Sequence, residues 1–78
     1  MTEFYTVITF ANGEANSDTD VNTNSHRSVR SYKTERVAIQ AILRGTQESG
    51  VTYRILCTVI EPDREVWSTW CEFFLEVP

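Results

Sequence analysis

Val51-Thr-Tyr-Arg-Ile-Leu-Cys-Thr-Val-Ile60, then Glu61-Pro-Asp-Arg64, then Glu65-Val-Trp-Ser-Thr-Trp-Cys-Glu-Phe-Phe-Leu-Glu-Val77 is the stretch whose reading decides the fold. Two runs rich in β-branched and aromatic residues flank a short polar break, the pattern of an antiparallel hairpin. Pro62 suits the second position of a turn, where its fixed φ is already correct, and Asp63 suits the third. Side chains alternate along each strand, so Val51, Tyr53, Ile55, Cys57 and Val59 share one face. The matching set on the second strand is Trp67, Thr69, Cys71, Phe73 and Leu75. Pairing these two sets requires an odd-numbered loop or a bulge near Pro62 to Arg64, because a two-residue turn pairs opposite parities. Trp70 and Phe74 then fall on the other face beside Arg54. Exposed aromatic groups beside an arginine are typical of recognition surfaces, although a covering loop or subunit accounts for them as well. The hairpin carries both tryptophans and both cysteines, so most of the burial is expected here.

Glu3 to Ala11 alternates Phe4, Thr6, Ile8 and Phe10 with Tyr5, Val7 and Thr9. Aromatic groups on both faces predict a central or well-covered strand. Asn12-Gly13 is a strong hairpin signal. Residues 12–26 are polar and acidic, with side chains that hydrogen-bond their own backbone, and are read as a long solvated loop. Asp18-x-Asp20-x-Asn22 raises calcium, but an EF-hand loop needs Gly and Glu where this chain has Thr23 and Val29. His26 to Lys33 reads as a short edge strand and return arm, with arginine and lysine discouraging intermolecular pairing.

Thr34 to Glu48 predicts the one helix, capped by Thr34, with Glu35 in the favourable first turn. Ala38, Ala41, Ile42 and Gly45 centre its apolar face, Val37, Ile39 and Leu43 flank it, and Gly50 supplies a left-handed stop. The expected architecture is α+β: a small two-layer sandwich, an antiparallel sheet of three to four strands in β-β-α-β-β order, with one helix on one face. A chain of 78 residues makes one domain, residues 1–78, with a single core.

Enzyme machinery is scarce. Neither a GxSxG elbow nor a P-loop is present, and His26 is the one histidine. One histidine and two mid-strand cysteines do not make a zinc set, which takes four ligands at loop spacings. Cys57 and Cys71 read as reduced core residues of a cytoplasmic protein, since they sit in neither a CxxC motif nor a loop framework. No cofactor or metal is expected. No apolar run reaches the ~18 residues of a membrane span, and the net charge of −4 opposes non-specific binding to DNA or membrane.

Charge is unevenly placed. Residues 27–44 carry Arg27, Arg30, Lys33, Arg36 and Arg44 against Glu35, while both ends of the chain are acidic. The first expectation is therefore a non-catalytic binding protein that docks on a larger protein. Its candidate contact residues are Arg27, Arg30, Lys33, Arg36, Asp18, Asp20, Trp70 and Phe74. In size and composition the chain resembles the small stand-alone proteins that phages make to inhibit host or defence machinery. The alternative is a nucleic-acid or anionic-ligand module using the basic segment 27–44, with Tyr53, Trp70 and Phe74 as stacking groups. A homodimer has two routes, an exposed edge strand or the Trp70/Phe74 face.

Overall fold

The computed structural model describes residues 1–12 and 29–78. Its elements are β1 (Thr2–Ala11), β2 (Val29–Tyr32), α1 (Glu35–Arg44), β3 (Val51–Ile60) and β4 (Val66–Val77). They form one antiparallel sheet in the order β2-β1-β3-β4, with the helix packed on one face. The α+β, β-β-α-β-β architecture expected from the pattern is the one observed.

The hairpin is built as its parity requires. Ile60 pairs with Val66, so the loop Glu61–Glu65 has five residues and keeps odd with odd. The Arg64 amide donates to the Glu61 carbonyl at 2.9 Å, closing a turn with Pro62 in its second position. Arg64 then takes a positive φ of 71°, and the Glu61 amide donates to the Glu65 carbonyl at 2.8 Å. A turn followed by a left-handed residue is a common way to close such a loop. Farther along, Arg54 faces Phe74 while Leu56 faces Trp70. Ile55 is therefore opposed by three residues, Cys71, Glu72 and Phe73. The two extra residues form a bulge and leave the facing pattern intact, because the shift is even.

β1 lies between β2 and β3 and pairs with β3 along its whole length, from Thr2 with Ile60 to Ala11 with Val51. Its central position follows from apolar groups on both faces. Val7 packs under the helix with Ala38, Ile42 and Ile55, whereas Ile8 and Phe10 form a second cluster on the opposite face with Leu56 and Trp70. Burial concentrates on β1 and β3, which corrects the expectation that the hairpin alone holds most of it. No residue of β4 is fully buried, and Trp67, read as core, is 48% exposed. The cause is position: β4 is an edge strand, and α1 lies over β1, β2 and β3.

α1 begins as read. The Val37 amide donates to Thr34 Oγ1 at 3.1 Å, and Ala38 and Ile42 are buried against the sheet. The helix ends at Arg44 rather than Glu48, with Gly45 as an extended cap whose amide donates to the Ala41 carbonyl. Gly50 does adopt a left-handed φ of 79°, but in the turn that enters β3 and not as the helix cap. That turn brings three strand ends together. The Gly50 amide donates to the Val77 carbonyl at 2.9 Å, and the Gly50 carbonyl accepts from the Asn12 amide at 3.0 Å. The Asn12 side chain donates through Nδ2 to the Val77 carbonyl at 2.9 Å and accepts from Thr52 Oγ1 at 2.7 Å. Read as a hairpin turn residue, Asn12 works instead as a bracket across β1, β3 and β4.

Candidate interaction surfaces

The side of the sheet away from α1 carries the most distinctive side-chain arrangement. Alternation places Arg54 and Leu56 of β3 on this side with Val66, Trp70 and Phe74 of β4. The Arg54 guanidinium lies 4.3 Å from the centre of the Trp70 ring and 5.8 Å from that of Phe74. Both distances are within cation–π range, and the bulge sets them by carrying β4 from Trp70 to Phe74 across one Arg54–Leu56 step. Phe10 completes the cluster from β1, its ring 6.0 Å from Trp70 at 62°, an edge-to-face contact. The inner members are packed: Phe10 is buried and Trp70 half-buried. The outer rim is open, with Phe74 46% exposed, Val66 61% and Ile60 36%. The expectation that Trp70 and Phe74 sit beside Arg54 is met.

The basic segment lies elsewhere. Arg30 faces Val7 across the β1–β2 ladder and so points to the helix side. There it lines a cleft of about 610 Å³ between the end of α1 and the sheet, with Tyr32, Ile42, Thr46, Glu48 and Tyr53. The Tyr53 hydroxyl accepts the Glu48 amide at 2.9 Å, which ties the segment after the helix to the sheet. Lys33 and Arg36 are exposed where β2 passes into α1, and Lys33 borders a shallow apolar hollow with Phe4, Tyr32 and Val37. Arg30 is thus on the other side of the sheet from the aromatic cluster, and Lys33 and Arg36 lie beyond the β2 edge, with β1 and β3 between them and β4. Asp18, Asp20 and Arg27, the loop 12–26 beyond Asn12, and His26 to Ser28 lie outside the described residues.

The sequence reading missed Trp67. This ring stands on the helix side of β4, beyond the reach of α1, with its indole N–H donating to Glu61 Oε1 at 3.3 Å. Its alternation matched the core, and only its place at the turn end of an edge strand exposes it.

The cysteines are free thiols. Burial, with a hydrogen bond to Glu35 behind it, pushes the Cys71 thiol up to about 12, so at neutral pH it is not a nucleophile. Tyr5 is also held protonated: its hydroxyl donates to Glu3 Oε1 at 2.7 Å, and this bond followed by burial raises it well above the ordinary tyrosine range. Among the described residues no helix is long and apolar enough to cross a membrane. Set against known proteins, the chain matches no family model, no curated protein and no solved structure.

Proposed function

We propose that this chain is a non-catalytic binding protein that docks on a larger protein through the outer face of its β3–β4 hairpin. One observation carries the reading: the Arg54 side chain is set against Trp70 and Phe74, while Phe74, Val66 and Ile60 leave an apolar rim open to solvent. Tryptophan and arginine held rigid by packing are the residue types that dominate binding energy, because little side-chain freedom is lost on contact. Phe74 is the anchor that enters a partner's pocket, and Arg54 sits beside it at the rim. The acidic balance of the hairpin, from Glu61, Asp63, Glu65, Glu72 and Glu76 against Arg54 and Arg64, favours a basic partner and speeds encounter with it. The likeness in size and composition to small phage-made inhibitors makes host or defence machinery the partner class to test first. Nucleic acid is the weaker reading, because Trp70 and Phe74 stand on the edge strand β4, whereas Arg30 points to the other side of the sheet and Lys33 and Arg36 lie beyond the far edge.

The test compares three forms of the protein as bait in a lysate of the cells that produce it. The native chain and an Arg30→Glu/Lys33→Glu variant should capture the same protein. Phe74→Ser, whose side chain is exposed, should lose it by tenfold or more. Capture that survives Phe74→Ser but fails with the charge reversals would refute the hairpin site. Tight, steeply salt-dependent binding to single-stranded RNA would replace the whole reading with the nucleic-acid one.

A further inference from the structure

Beyond any docking partner, β4 has the makings of a second interface. It is a 12-residue strand at the edge of the sheet, with a neighbour on one side only among the described residues. A long edge presents a row of backbone N–H and C=O groups and is a template for another strand unless it is protected. The protections usual in natural edges are thin here. β4 contains no lysine, arginine or proline, and Val66 and Trp67 are exposed on its two faces. Its straight part is Val66 to Trp70, regularly paired with Ile60 to Leu56 before the bulge begins.

We propose that the occupant of this edge is a second copy of the chain, paired antiparallel about a two-fold axis at Ser68. The edge is self-complementary. An axis at Ser68 uses just the straight segment and sets Val66 of each copy against Trp70 of the other, twice, on one face. On the other face it sets Trp67 against Thr69, twice. Just beyond its two ends the flanking charges are opposite in sign, Arg64 in the loop of one copy and Glu72 in the bulge of the other. The segment Val66 to Trp70 itself carries no acid, so no like charges meet within the ladder. Aromatic and β-branched cross-strand pairs and opposite charges are the combinations that stabilise such ladders. An isologous contact counts each of them twice. Because the axis runs perpendicular to the sheet, both Arg54–Trp70–Phe74 clusters emerge on the same face of the joined sheet. The dimer therefore presents two docking sites side by side, although its formation does not depend on what they bind.

Sedimentation equilibrium over a concentration series tests this without any partner. The native chain should show a reversible monomer–dimer equilibrium. Ser68→Lys puts two like charges on the axis and should give a monomer. Ser68 is exposed, its hydroxyl 3.1 Å from that of Thr58, so an unchanged circular dichroism spectrum will show that the fold survives. Glu72→Arg alone sets arginine against arginine at both ends and should weaken association by roughly tenfold. The double variant Arg64→Glu/Glu72→Arg should restore it. A native chain that stays monomeric at every concentration, a dimer indifferent to Ser68→Lys, or a double variant that fails to regain what Glu72→Arg lost would each overturn the proposal.

Discussion

Asn12 shows how much one side chain can hold in so small a molecule. It joins Thr52 on β3 to the Val77 carbonyl on β4 from the end of β1, and Thr52 is completely buried. Asn12→Ala leaves the Thr52 hydroxyl without its acceptor and should cost about 2–3 kcal/mol, read as a lower midpoint in urea unfolding. Asn12 was legible as a chain-reversal residue but not as a bracket, because its two partners lie 40 and 65 residues away. Cys71 and Tyr5 make a second prediction at this scale. Both hold their protons more tightly folded than unfolded, so stability is full below their ordinary ranges and is lost as pH rises through the folded values. The unfolding midpoint should fall from about pH 9 upward, and Cys71→Ala with Tyr5→Phe should flatten that fall. A midpoint independent of pH up to about 11 would contradict both environments.

The helix illustrates what periodicity tells and where it stops. Its start was readable from Thr34 and Glu35, and its buried stripe from Ala38 and Ile42. Its end was not. Thr46, Gln47 and Glu48 continue a helical pattern, yet Gly45 turns extended, Gln47 Nε2 donates to the Ile42 carbonyl at 3.4 Å, and Glu48 is tied to Tyr53. Tertiary contacts end the element where propensity alone would prolong it. The stripe makes a paired prediction. Ile42→Ala should destabilise by about 2–4 kcal/mol by opening a cavity between α1 and the sheet, whereas Leu43→Ala, at an exposed position, should cost under about 1 kcal/mol. Equal effects in urea unfolding would mean that the helix is rotated on the sheet. The hairpin was legible down to its odd loop. The bulge at Cys71 to Phe73 was not, because a shift of two residues leaves the alternation of side chains unchanged.

At the scale of the whole molecule, one short helix cannot cover both sides of a four-stranded sheet, nor all of one. Among the described residues it shelters β1, β2 and β3 and leaves β4 open along its edge and over much of its surface. The sheet order β2-β1-β3-β4 thus places the most aromatic strand at an exposed edge. That outcome was hidden in the sequence, since the same alternation serves a central strand and an edge strand alike. The Arg54–Trp70–Phe74 group could be assembled from alternation alone, whereas its separation from Arg30, Lys33 and Arg36 needed the order of the strands. The two proposals, docking on another protein and pairing with a second copy, both draw on this edge strand.

Amide hydrogen exchange, followed residue by residue in dilute protein, tests that picture most directly. Exchange should be slow along β1 and β3 and should alternate between slow and fast amides along Val66 to Trp70, where every second N–H faces outward. Uniformly slow exchange throughout Val66 to Trp70 in dilute monomer, or exchange in β1 as fast as in the outward amides of β4, would contradict it.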